Sequence, residues 1–246
     1  MAILLLSQVV FKAESVEIYL KGIGKLKGVN YHYISQDKYR LDENLVLDRE
    51  RLVSKLMEKY YAGEKSIILD LTNDSVYRVD HNERSYYVYK LDSYVKPVEK
   101  FDEKKKDLKA KVIIKNLGNC NYEIKFSFEN DSIVSRICYK EVEANNAENQ
   151  FFINYNKKLK SDADMRVLQK LGFFSINNPF VKFLMGDIVK KSDLEKITKI
   201  KGYPYIIDVS YYNDTSLVYK YFSKLISLEV KENVDVFKID TTYKRR

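Results

Sequence analysis

The sequence predicts a mainly β protein of the α+β class, with an antiparallel sheet and helical insertions. Short runs rich in β-branched and aromatic residues alternate with Asn/Asp turns, which is typical of antiparallel strands. Tyrosine supplies 21 of the 246 residues and suits half-buried strand surfaces. Helical spacing of apolar residues is confined to two segments, near 48–62 and 161–200.

Composition excludes several classes of protein. A hydrophobic content of 45% supports a folded core and excludes global disorder. The net charge of +8 is spread along the chain, and no nucleic-acid motif accompanies it, so we interpret it as solvated strand faces and edges. The two cysteines and two histidines do not form a zinc motif. We therefore expect no nucleic-acid partner, no metal and no cofactor.

The first segment, MAILLLSQVVFKA, is apolar and has the length of a signal peptide. We predict that residues 1–13 are the tail of an export signal ending at Ala13, and that 14–246 form one domain. The alternative is a buried first strand. No later segment is apolar enough to cross a membrane. The predicted location is periplasmic or exported, peripheral to a membrane at most.

The N-terminal half reads as strands that lead into a meander. Residues 16–23 alternate apolar and polar side chains, which is the period of a half-buried strand. A strand at 29–34 and a turn into 38–41 follow. The meander consists of three runs separated by polar turns: 66–71, 75–79 and 85–91.

The C-terminal half repeats this pattern after a loose, charged stretch at 92–107. Turn residues separate a further series of predicted strands: 109–115, 122–128, 133–139, 151–159, 203–212, 217–230 and 237–239.

The helical segments carry start and stop signals. Asp48 is a predicted N-cap for the first insertion. In the second, apolar residues lead to Gly172 as a stop, and Pro179 sits at a first helical position. Residues 192–195, SDLE, match the capping-box pattern.

The segment 173–189, FFSINNPFVKFLMGDIV, is the first candidate site because its central helix is apolar on nearly every side. Such a helix is either core or a lid that yields to a ligand. The candidate ligand-binding residues are Phe174, Phe180, Phe183, Leu184 and Met185.

Other candidates are weaker. Cys120 and Cys138 either join their hairpin as a disulfide or remain reduced thiols. Asp70 and Asp208 occupy outward polar positions of alternating strands, and His81 is a solvated turn residue in this interpretation. No catalytic motif is present, so we predict that the protein is not an enzyme.

Several pieces resemble the LolA-like exported bacterial proteins of unknown function. The N-terminal pieces are YHYISQDKYRL (31–41) and SIILDLTNDSVYRVDHNERSYYVYKL (66–91). The C-terminal ones are NCNYEIKF, KGYPYIIDV and FKIDTTYK. The segments 45–64 and 161–200 depart from the family pattern, and no functional residue of the lipoprotein carriers LolA and LolB maps onto this chain.

The resemblance implies a strongly curved antiparallel sheet, a half-open barrel that encloses short helices. In LolA and LolB such a concave apolar face holds acyl chains. The expected function is therefore non-enzymatic binding of a lipid or an acylated lipoprotein in the cell envelope. The alternative is a structural or interaction module that fills its own cavity and meets an envelope protein partner.

Overall fold

One twelve-stranded sheet runs through both halves of the chain. The computed structural model describes residues 8–48, 62–95, 110–141, 146–159, 166–172, 189–232 and 235–246. The strands are β1 (Gln8–Leu20), β2 (Gly24–Ile34), β3 (Lys38–Asp48), β4 (Gly63–Asp70), β5 (Ser75–Asp80), β6 (Ser85–Lys90), β7 (Lys111–Gly118), β8 (Asn121–Phe128), β9 (Asp131–Lys140), β10 (Tyr203–Asn213), β11 (Ser216–Glu232) and β12 (Lys244–Arg245).

The sheet consists of two meanders that lie side by side, and one strand of each pairs with the other. The spatial order is β12-β6-β5-β4-β3-β2-β1-β11-β10-β9-β8-β7, and β1 pairs with β11 to connect the halves. All pairs are antiparallel except β12 with β6. Register shifts in β1, β7 and β10 mark bulges, which bend strands and increase their twist. The predicted fold class is confirmed: a curved, unclosed, mainly antiparallel sheet with few short helices.

Short helices pack on one face of this sheet. They are α1 (Leu91–Val95), α2 (Asn146–Leu159), α3 (Arg166–Leu171) and α4 (Lys191–Thr198). Helix α2 contacts β1 and β2, α3 contacts β10, and α4 packs on α3. Phe151, Leu171 and Ile197 are buried in the same core as the apolar strand residues. We call the face that carries this core the inner face and the opposite one the outer face.

The predicted export signal conflicts with the place of β1. Residues 8–13 form the first half of this strand, between β11 and β2, and Val9, Val10 and Ala13 are buried. Cleavage after Ala13 would remove half of the strand that joins the two meanders. For residues 8–13 the structure favours the buried first strand over the signal. Residues 1–7 lie outside the described part of the chain.

Three element predictions are wrong. Residues 151–159 belong to helix α2 and not to a strand, because apolar side chains from Ala147 to Tyr155 recur at helical spacing and face the core. Helix α4 begins at Lys191 with Lys190 as N-cap and no side-chain cap, so the 192–195 capping box is not formed. Residues 237–239 are not a strand.

The two helical insertions are described only in part. Strand β3 extends to Asp48, so this residue ends a strand where the sequence predicts an N-cap. The rest of the first insertion, 49–61, lies outside the described residues. In the second insertion, α3 ends at Gly172, as the sequence predicts.

The segment 235–246 is held against the outer face and one edge of the sheet. The Arg40 guanidinium donates to the Val236 carbonyl at 2.6 Å, and Lys244 and Arg245 pair with β6. The Arg246 guanidinium forms a 2.7 Å salt bridge with Glu83 in the β5–β6 turn. This segment therefore covers what would otherwise be an open strand edge.

Candidate binding site on the inner face of the sheet

The predicted site segment cannot be placed on this fold. Phe174, Phe180, Phe183, Leu184 and Met185 all lie outside the described residues. Val189, at the end of that segment, is buried in the core. The role of the five residues as a lid or as core stays a prediction.

Helix α2 is the described element that covers the centre of the inner face. Its rings Phe151, Phe152 and Tyr155 are buried against the sheet, and Phe151 lies 5.9 Å from the Tyr39 ring. The sequence signal for this helix was its apolar spacing together with Lys157 and Lys158 in its last turn. The helix fills much of the space that a lipid carrier would leave open.

A cavity of about 410 Å³ remains at the β3–β6 end of the sheet. We call it the β3–β6 cavity. Its volume falls in the range of small-molecule sites. The inner face beside it contains three rows of cross-strand neighbours: a polar row Glu43–Lys65–Asp80–Ser85, a middle row Leu41–Ile67–Arg78–Tyr87 and an apolar row Tyr39–Leu69–Val76–Tyr89.

The cavity lining grades from the charged polar row to the rings of Tyr87 and Tyr89, whereas Tyr39, Leu41, Leu69 and Val76 are fully buried and do not line the cavity. The cavity is lined by the whole polar row, by Ile67, Arg78 and Tyr87, and by Tyr89. The rings of Tyr87 and Tyr89 stack at a centroid distance of 6.5 Å. A ligand with one polar and one apolar end matches this gradient.

The charges in the polar row partly compensate one another. Burial raises the pKa of the Glu43 carboxyl, although Lys65 and Arg78 act against this. Burial lowers the pKa of the Lys65 ammonium, against the attraction of Asp80 and Glu43. Asp80 also accepts the backbone N–H of Glu83 at 2.9 Å. The row thus carries alternating charges with one carboxylate in excess, and Arg78 in the neighbouring row supplies a further positive charge.

A second polar group is buried beneath α2 at the centre of the sheet. Lys12 and Glu14 form an ion pair on the inner face, and the Tyr221 hydroxyl donates to Glu14 at 3.3 Å. Burial disfavours the Glu14 carboxylate, but Lys12 and His32 outweigh it and hold its pKa well below the usual range. Sequence periodicity could not reveal this group, because polar residues in an alternating strand are expected to face solvent.

His32 completes this group. Its Nε2 lies 3.6 Å from Glu14 Oε2, and its Nδ1 lies 2.9 Å from the Tyr39 hydroxyl. Burial lowers the pKa of His32 and favours its neutral form, whose Nδ1 shares a hydrogen bond with the Tyr39 hydroxyl. Burial also raises the pKa of Glu148 on α2, whose carboxyl accepts from Tyr203 at 3.2 Å. The half-buried Tyr203 thus joins β10 to the buried Glu148 of α2.

A serine and a histidine lie in contact on the outer face. Ser66 Oγ is 2.6 Å from His81 Nε2, and Ser66 donates to Asp42 at 2.6 Å. His81 Nδ1 is 3.0 Å from the Tyr243 hydroxyl. A nucleophilic serine would donate its proton to the histidine, whereas this one donates to Asp42 and is buried. The group ties the 235–246 segment to the sheet.

The structure shows the surroundings of the other candidate residues, His81, Asp70 and Asp208. His81 is not a solvated turn residue, since Ser66 and Tyr243 hold it. Asp70 lies on the outer face, as predicted, but is buried there: burial opposes its charge, and hydrogen bonds from Asn73 and Lys38 nevertheless lower its pKa. Asp208 forms a 3.1 Å salt bridge with Lys220. Neither acid has a partner typical of acid–base catalysis among the described residues.

The two cysteines are free thiols in this structure. A two-residue turn joins β8 to β9, and the register places Cys138 opposite Asn121 and not opposite Cys120. This offset does not favour a disulfide between them. The disulfide stays a prediction.

The described residues contain neither a group of three or more potential metal ligands nor a helix long and apolar enough to cross a membrane.

Comparisons with known proteins add little to this picture. No family model matches the chain, and no curated protein matches it. Among solved structures, a LolA superfamily protein from Nitrosomonas europaea is similar over 95% of this chain and 91% of that one. The sequence identity is 4% and the TM-score is 0.32.

Proposed function

We propose that this is a non-enzymatic binding protein that holds an amphiphile, such as a lipid or the acyl chain of a lipoprotein, in the β3–β6 cavity. The observation that carries the proposal is the gradient in the cavity lining. The polar row offers contacts to a head group, and Ile67, Tyr87 and Tyr89 offer an apolar wall to a chain. Burial of that chain would supply most of the binding free energy.

The competing function is that of a structural or protein-interaction module whose own helices fill the cavity. Helices α2, α3 and α4 already cover the inner face at β1, β2 and β10, which favours this alternative for that part of the sheet. The β3–β6 end is different, because its tyrosines stand in an open cavity. We therefore restrict the ligand to this end.

Location in the cell envelope is part of the proposal. It follows from the resemblance to exported proteins and suits a carrier of lipid or acylated lipoprotein. A signal that ends at Ala13 is not its basis, because residues 8–13 belong to β1.

Replacement of Tyr87 and Tyr89 by serine tests the site. We expect the double variant to bind a fluorescent fatty acid roughly tenfold more weakly, because it removes the aromatic wall. The matched control is Tyr19→Ser with Tyr31→Ser. These tyrosines are each 37% exposed, like Tyr89, but lie on the outer face. Titration by fluorescence gives both dissociation constants.

The control should bind as tightly as the wild type. If the wild type does not bind the fatty acid saturably, or if both double variants bind equally, the cavity is not an amphiphile site. A tight protein partner, together with a mass free of lipid in native mass spectrometry, would then favour the interaction module.

A further inference from the structure

We propose that the β3–β6 cavity recognises the anionic head of its ligand, a carboxylate or phosphate, through Arg78 and Ser85. This inference rests on the proposed amphiphile function and names the chemistry of the ligand. The relevant features, among the described residues, are a guanidinium that forms no direct salt bridge and a buried hydroxyl that forms no hydrogen bond, both in one cavity wall.

Arg78 is an exposed cation in the wall, and Glu43 attracts it electrostatically without a direct ion pair. Among the described residues it forms no salt bridge and no side-chain hydrogen bond, whereas Arg246 is bound to Glu83. Its cross-strand neighbours are Ile67 and Tyr87, which provide no counter-charge. A guanidinium with apolar neighbours is suited to a bidentate bond with a carboxylate or phosphate.

Ser85 is the second observation and is independent of the first. The residue is 1% exposed and lines the cavity, and its Oγ has no hydrogen-bond partner among the described residues. A buried hydroxyl without a partner destabilises a fold, so such groups call for an explanation. A ligand oxygen that accepts from Ser85 provides one.

The two groups are placed to act on one anion. Arg78 lies opposite Tyr87, and Ser85 lies two residues before Tyr87 on the same face. Diagonal neighbours of this kind are roughly 7–8 Å apart, which two side chains can bridge through a shared ligand. Asp80 and Glu43 lie in the same wall and flank Lys65, which offsets one of their two charges. Tyr87 and Tyr89 line the same cavity next to this point, where they can contact the apolar part of the ligand.

The experiment compares oleate with methyl oleate, which has the same chain without the charge. We expect the wild type to bind oleate roughly tenfold more tightly, as a hydrogen bond to a charged group allows. Arg78→Gln should remove this difference. Arg136→Gln, on the outer face, is the matched control and should preserve it.

Ser85→Ala adds a readout that a structural role would not give. It should weaken oleate binding several-fold and yet raise the thermal midpoint of the free protein, because it removes an unsatisfied buried hydroxyl. Its control is Ser135→Ala, a 0% exposed serine whose Oγ also has no partner, on β9. That variant should raise the midpoint without changing oleate binding.

The outcomes separate the two proposals. Absence of binding for both oleate and methyl oleate overturns the amphiphile function itself. Equal binding of the two, with no effect of Arg78→Gln, overturns only the anionic head. Inorganic phosphate that competes with oleate at Arg78 as strongly as oleate itself would assign the site to a free anion and overturn a lipid head group.

Discussion

At the residue scale, an apolar core encloses a buried polar group. Lys12, Glu14 and His32 lie on the same face as Val10 and Val16, which are core residues. Side chains of β1 therefore alternate between the two faces of the sheet, but the inner face receives both apolar and charged residues. Sequence reasoning assigns charged strand residues to solvent, and only α2 packing over β1 shows that these are buried. Pairing makes this burial tolerable, because an isolated buried charge would be strongly destabilising.

His32 should make stability sensitive to mild acid. Burial lowers its pKa in the fold, while in the unfolded chain the pKa is about 6.5. Below that pH the unfolded state takes up a proton that the folded state does not. Stability is therefore lost as pH falls through about 6.5, by at most about 1.4 kcal/mol per pH unit.

Urea unfolding at pH 7 and pH 5 measures this effect. His32→Gln retains a polar side chain but cannot titrate, so its loss of stability between the two pH values should be smaller by about 1–2 kcal/mol. Glu43 and Glu148 have raised pKa values and therefore stabilise the folded state as pH falls, which is the opposite effect. Their contribution is the same in both proteins and cancels in the comparison. An identical loss in both proteins would show that His32 is not a buried neutral group.

At the element scale, local signals predicted the strands well and the helices less well. The meander of β4, β5 and β6 matches its predicted bounds closely, because each polar turn is flanked by clear period-two runs. Helix α2 was missed because Phe151, Phe152 and Ile153 also favour strands, and its helical period appears only from Ala147 onward. The predicted site segment falls on residues that the structure does not describe.

Gly172 is where α3 meets the sheet, and its replacement should loosen that contact. Its φ of +70° lies in the left-handed region, and a Cβ there would overlap the Ile207 side chain of β10. We expect Gly172→Ala to lower the free energy of unfolding by about 3 kcal/mol through strain and overpacking. Gly22→Ala, at a φ of +84° in open space, should cost only about 1 kcal/mol. Equal losses in urea unfolding would contradict the packing of α3 on β10.

At the scale of the whole molecule, the decisive contact is the pairing of β1 with β11. It joins residues more than 190 positions apart, such as Val16 and Ser223, so no local pattern could predict it. The fold class was predictable from strand composition, and the curvature was implied only by the resemblance. The strand order required the structure.

The inner face is divided into two parts with different roles. Helices α2, α3 and α4 occupy the part over β1, β2 and β10, where the buried ion pair lies. The part over β3–β6 remains an open, graded cavity. The protein therefore covers one part of its inner face with its own helices and keeps the other part open for the proposed ligand.

A titration of the isotope-labelled protein with oleate, followed by two-dimensional ¹⁵N–¹H NMR, tests the location of this site most directly. Saturable shifts should concentrate on the strands that form the cavity, at Ile67, Arg78, Ser85, Tyr87 and their neighbours. Shifts that concentrate on α2, α3 and α4, or the absence of any saturable shift, would contradict a ligand site in the β3–β6 cavity.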